Sequence, residues 1–136
     1  MERNSMTMAT ALRVNNLIEQ IRRAAGDLAT PLQIAEGEFG FYLKKEKQWL
    51  LYFGCWVTFW EERPAILCFG VDDATADVQE AFRRSFREVY GLEAVMLNDK
   101  WIMGWVPNAE LEQADPARLI WTKLGRIWSA VSSPID

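Results

Sequence analysis

Hydrophobic and polar positions change their period several times along this chain, and each change marks an element. Between Leu12 and Leu28 the apolar residues Val14, Leu17, Ile18, Ile21, Ala25 and Leu28 recur three and four apart. Arg13, Glu19, Arg22 and Arg23 take the other side, so the segment is an amphipathic helix, closed by Gly26 and Pro31. From Glu38 the period is two: Phe39, Phe41 and Leu43 point one way, and Gly40, Tyr42 and Lys44 the other, the mark of a strand. Lys44 to Gln48 is a charged hairpin tip. Trp49 to Trp60, WLLYFGCWVTFW, follows with no charge in it. It falls short of the roughly 20 apolar residues that a membrane-spanning helix needs, so it predicts a central strand apolar on both faces. Glu61 to Pro64 is the next turn and Ala65 to Val71 the third strand, completing an antiparallel meander.

The helical period returns after Asp72-Asp73-Ala74-Thr75, where Asp or Thr is the N-cap. Val78, Phe82, Phe86 and Val89 make the apolar stripe, with Glu80, Arg83, Arg84, Arg87 and Glu88 on the wet side, and Gly91 is the C-cap. Ala94 to Leu97 reads as a fourth strand, Asn98-Asp99 as a two-residue hairpin turn, and Lys100 to Val106 as a fifth strand ended by Pro107. Asp115-Pro116 opens a last helix lined by Leu119, Ile120, Leu124, Ile127 and Val131, with Trp121 and Trp128 beside them. The expected fold class is α+β: one antiparallel sheet of about five strands with three helices, order α-β-β-β-α-β-β-α. Residues 1–136 form one expected domain, with the polar residues 1–10 disordered.

Composition narrows the chemistry. Half of the 136 residues are hydrophobic and a quarter charged, as in ordinary globular domains. The net charge of −4 argues against nucleic acid as a partner. The chain has no histidine, which removes Ser-His-Asp and Cys-His nucleophiles and every His-ligated metal site. Cys55 and Cys68 both lie in apolar strands, where two reduced buried thiols or one disulfide between neighbouring strands are the options. MERNSMTMAT carries no apolar signal segment and nothing later spans a membrane, so a cytoplasmic protein without metal or cofactor is expected.

Glycines punctuate four strands beside an aromatic or methionine: Phe39-Gly40-Phe41, Phe53-Gly54, Phe69-Gly70 and Met103-Gly104-Trp105. Glycine weakens a strand unless a bend, a bulge or a close approach needs it. One reading is curvature plus room for a neighbouring indole; the other is a shallow aromatic groove that receives a partner or another copy of the chain. Three helices can cover one side of such a sheet, which would leave Tyr42, Tyr52, Trp56 and Trp60 exposed on the other, with Gly40 and Gly54 between them. A soluble monomer rarely tolerates such a patch, so either a helix of the chain wraps to that side or a partner covers it, a protein or a second copy of the chain as a homodimer being the expected cover.

The remaining candidates are weaker. Glu61-Glu62 and Asp72-Asp73 are adjacent acidic pairs whose members point to opposite faces, and turn solvation or capping accounts for them. Arg83, Arg84 and Arg87 could grip an anion or an acidic partner, or form a solvated helix face. No phosphate loop, nucleophile elbow or metal spacing is present.

The segments GFYLKK, WLLYFGC and PAILCFGV, between Glu38 and Val71, together with KWIMGWVP, resemble the accessory region that follows the catalytic domain in some bacterial PD-(D/E)XK nuclease-superfamily proteins of defence systems. The nuclease signature, Pro-Asp followed by (Asp/Glu)-X-Lys, is absent, so the resemblance implies a recognition module and carries over no catalytic residue. The element order, small size and acidity are similar in layout to class I type III secretion chaperones, which are dimers that bind effector segments; the tryptophan-rich strands depart from that family. The expected function is therefore non-catalytic protein binding, of adaptor, chaperone, inhibitor or immunity type. The competing classes are a small-ligand binder or enzyme with an indole-lined pocket, its acid being Glu36 or Glu38, and a nucleic-acid module using the three arginines.

Overall fold

Three helices lie against one face of a six-stranded antiparallel sheet, as seen in a computed structural model that describes residues 8–35, 38–46, 48–56, 59, 65–97 and 99–133. In chain order the elements are α1 (Met8–Ala25), β1 (Gln33–Ala35), β2 (Glu38–Lys45), β3 (Gln48–Trp56), β4 (Cys68–Asp72), α2 (Ala76–Tyr90), β5 (Val95–Leu97), β6 (Trp101–Trp105) and α3 (Pro116–Ser132). The strands lie in the order β1-β2-β3-β4-β6-β5. Among the described residues the α+β class and the three long helices are as expected; the sheet has six strands rather than about five.

The extra strand is β1. It pairs with β2 through Gln33 opposite Gly40, Ile34 opposite Phe39 and Ala35 opposite Glu38. Ile34 remains 80% exposed, so this edge strand buries too little to leave an apolar alternation in the sequence. Other boundaries also move. Helix α1 starts at Met8, so Met8–Thr10 are helical where disorder was expected, and it ends at Ala25, with a 3₁₀ turn over Gly26–Leu28. The third predicted strand shortens to Cys68–Asp72, although the Val106 amide still donates to the Leu67 carbonyl at 3.0 Å. The central strand ends at Trp56, four residues before Trp60. The predicted turn at Glu61–Pro64 and the acidic pair Glu61-Glu62 lie outside the described residues, as do Glu36, Trp60 and Asn98.

Side-chain periodicity explains the core. Val14, Leu17, Ile18, Ile21 and Ala25 of α1 are buried, as are Val78, Phe82 and Phe86 of α2 and Ile120, Leu124, Ile127, Trp128 and Val131 of α3. They meet Phe41, Leu43, Leu51, Phe53, Phe69, Val71 and Ile102, all from one face of the sheet. Helix α3 packs against both α1 and α2. Phe69 is the hub of this layer, its ring 5.9 Å from Phe82 and 5.6 Å from Phe86.

Helix ends are held by specific groups. The Thr75 hydroxyl accepts from the Val78 amide at 3.3 Å and the Asp115 carboxylate from the Arg118 amide at 3.3 Å, giving the two N-caps foreseen. Gly91 caps α2 at φ 69°, where a β-carbon would be strained. Lys45 donates to the Ser132 carbonyl at 2.9 Å, tying the β2–β3 hairpin to the end of α3. A polar clamp joins α2, α3 and the 3₁₀ turn Asn108–Glu112: Lys123 ion-pairs with the buried Glu110 and sits 4.7 Å from the Tyr90 ring. Among the described residues, no helix is long and apolar enough to cross a membrane.

Candidate functional site

The helix-free face of the sheet is built by the residues that alternate with the main core. Register puts Gly40 opposite Gly54, Tyr42 opposite Tyr52, and Tyr52 opposite Gly70. It also puts Cys68 opposite Trp105, Gly70 opposite Met103, and Asp72 opposite Trp101. Directly paired residues point to the same side of a sheet, so these form one continuous surface.

One end of that surface is covered by the chain itself. Phe59, beyond the end of β3, is fully buried there against Trp105, ring centroids 6.1 Å apart, and joins Ala65, Cys68, Leu97 and Met103 in a second apolar layer. Tyr52 belongs to the same layer and is only 4% exposed, which corrects the expectation that it stands open with its neighbours. Its hydroxyl donates to the Cys55 carbonyl at 3.1 Å. Burial, first of all, pushes the Tyr52 hydroxyl far above the ordinary tyrosine range.

Gly40 and Gly54 make room for this side chain. A β-carbon on Gly54 would meet the Phe39 carbonyl, would lie 2.6 Å from the Gly40 Cα, and 2.8 Å from the Tyr52 hydroxyl. Of the two readings of these glycines, room for a ring of the same chain is the one found here, but the ring is a tyrosine rather than an indole.

At the other end, three rings keep part of their surface in solvent. Tyr42, Trp56 and Trp101 are half-buried. The Trp56 and Trp101 centroids are 5.5 Å apart, Trp101 is 6.4 Å from Tyr52 in an edge-to-face contact, and Tyr42 is 5.4 Å from Tyr52 in another. Tyr42 and Trp101 each meet the buried Tyr52, and Trp56 joins through Trp101, so the rings form one plate. Of the expected surface residues, Tyr42 and Trp56 both pack against this second apolar layer and Trp60 lies outside the described residues. Trp101 was missed. Its alternation with Met103 and Trp105 was visible, but nothing local says that β6 lies beside β4 rather than at the sheet's edge.

Two carboxylates border the plate. Glu38 is the register partner of Trp56, and Asp72 of Trp101. Burial raises the Tyr42 hydroxyl pKa, and the charges of Glu38 and then Asp72 add to it.

The other candidates are placed elsewhere. Arg84 reaches Glu80 at 3.7 Å and Arg87 reaches Glu93 at 2.7 Å, both pairs exposed, while Arg83 has no ion pair among the described residues. The arginines do not converge on one point. Cys55 packs toward the helices and Cys68 on the opposite face, so the two thiols, though on neighbouring strands, cannot bridge; both are free. A cleft of about 350 Å³ opens between α1 and the start of α3, lined by Arg13, Asn16, Gln20, Leu111 and Asp115 among others, and it holds no indole.

Compared with known proteins, the chain matches no family model, no curated protein and no solved structure.

Proposed function

We propose that this chain is a non-catalytic protein-binding module that uses the helix-free face of its sheet, with Tyr42, Trp56 and Trp101 as the contacting rings. The observation that carries this reading is the Trp56–Trp101 pair, 5.5 Å apart and half-buried, in which Trp101 is braced by the buried Tyr52. Rings already held in place lose little conformational freedom on binding, and clustered aromatics of this kind dominate interface energetics. Gly40 and Gly54 contribute by seating Tyr52 rather than by touching the partner. Adaptor, chaperone, inhibitor and immunity-type roles all fit such a surface.

The test compares wild type with Trp56→Ala and Trp101→Ala for solution mass by light scattering and for proteins retained from extracts of the source cells. A partner or a homodimer that both variants lose, with circular dichroism and melting temperature preserved, supports the reading. Equal behaviour of all three proteins overturns it.

A further inference from the structure

Each open tryptophan of the plate has a carboxylate as its direct cross-strand neighbour: Glu38 opposite Trp56 on β2 and β3, and Asp72 opposite Trp101 on β4 and β6. Residues so paired have β-carbons about 5 Å apart on one side of the sheet. Neither carboxylate forms a salt bridge with a described residue. Glu19, Glu80, Glu93, Glu110 and Glu112 are paired with arginines or a lysine of the chain, and what sets Glu38 and Asp72 apart from the other unpaired acids is their place beside the tryptophans. Two carboxylates without a salt bridge to a described residue thus stand beside the half-buried indoles.

An indole face with an anion at its edge is a receptor for a cation. The ring quadrupole attracts positive charge placed over it, tryptophan most strongly, and a carboxylate alongside adds Coulomb attraction and a hydrogen-bond acceptor. Resting on the protein-binding reading above, we infer that the plate receives lysine or arginine side chains of the partner, with Trp56 and Glu38 forming one half of the receptor and Trp101 and Asp72 the other. The overall charge of −4 favours approach of a basic partner from any direction. The two rings lie 5.5 Å apart with their planes tilted by 54°, so the two halves adjoin and suit neighbouring basic residues of a single segment.

The experiment titrates the full-length chain, with ¹⁵N-labelled tryptophan, with a short lysine- and arginine-containing peptide and with the same peptide carrying acetyl-lysine and citrulline. The cationic peptide should shift the indole signals of Trp56 and Trp101, with an affinity that falls as salt is added. The Glu38→Gln/Asp72→Asn double variant should weaken it by about fivefold to tenfold. Both substitutions keep side-chain size at sites that are not fully buried, and an unchanged melting temperature verifies the fold. Absence of shifts with the cationic peptide, equal binding of the neutral peptide, or a double variant that binds like wild type overturns the inference. If a natural partner is nevertheless lost in Trp56→Ala and Trp101→Ala, the protein-binding face stands and only the cation preference falls; if those variants keep the partner, the face itself is wrong.

Discussion

Gly40 and Gly54 stand directly opposite one another across β2 and β3, and the hydroxyl of Tyr52 occupies the space where their side chains would be. Glycine in a strand interior is unfavourable by itself, so two facing glycines need a compensating contact. Here it is the Tyr52 ring, buried between the Tyr42 and Trp101 rings and hydrogen-bonded to the Cys55 carbonyl. Gly54→Ala should destabilise the fold by about 3 kcal/mol, because the new methyl meets backbone atoms that cannot move aside. Tyr52→Phe alone should cost about 1 kcal/mol for the lost hydrogen bond. Combining it with Gly54→Ala should recover little, since the Phe39 carbonyl and Gly40 Cα still obstruct the methyl. Urea denaturation of the three variants checks this, and full recovery in the double variant would show that the phenol alone set the constraint.

The Glu110–Lys123 pair makes a different stability prediction. Glu110 is 9% exposed, with one carboxylate oxygen on Lys123 and the other buried without a hydrogen bond, as is the Tyr90 hydroxyl. Lys123→Met should cost about 2–3 kcal/mol by leaving the carboxylate uncompensated, somewhat less than for a fully buried pair because Lys123 keeps some solvent. Adding Glu110→Gln should restore part of the loss, measured as the coupling in a double-mutant cycle.

Stability should fall on the alkaline side. All three tyrosines, Tyr42, Tyr52 and Tyr90, have their hydroxyl pKa raised, chiefly by burial, and the thiols of Cys55 and Cys68 are raised for the same reason. A raised folded pKa means that the unfolded chain loses its proton first as pH increases. The stabilisation is therefore complete below the unfolded thiol and tyrosine pKa values, about 8.5 and 10, and drains away above them. Tyr52 alone should remove about 1.4 kcal/mol per pH unit above pH 10. Without histidine, the interval from about pH 6 to 8 should be nearly flat. Urea midpoints followed from pH 6 to 11 check this; a stability that rises through the alkaline range would contradict the burial of these hydroxyls.

Thiol chemistry offers a direct test of face assignment. Cys55 and Cys68 point to opposite sides of the sheet, and both thiols resist ionisation. Under mild oxidation the folded monomer should form no internal disulfide. A thiol reagent should label Cys55 slowly and Cys68 only in denaturant. Rapid labelling of Cys68 would mean that the Phe59 cover is not closed.

The linear pattern determined much of this molecule. Residues spaced three and four apart, such as Ile18 with Ile21 and Phe82 with Phe86, can share one side only of a helix, and Phe39, Phe41 and Leu43 only of a strand, so the helices and their buried stripes follow from local geometry. Caps at Thr75, Gly91 and Asp115 were legible for the same reason: each needs only its own turn. The α+β class followed from the order of those periods. Tertiary structure alone decided the rest. Edge strand β1 gains its partners from β2 and buries too little for a periodic signal. The end of β3 at Trp56 and the burial of Phe59 over the second face turned an expected open patch into a half-covered one. Most of all, the meeting of Trp56 with Trp101, and of Asp72 with Trp101, depends on β6 lying beside β4, residues some thirty positions apart in sequence at the pairing. Periodicity tells which side of a strand a residue faces. Which strand lies next to it is settled by how the whole sheet buries its apolar area, and that is not a local property.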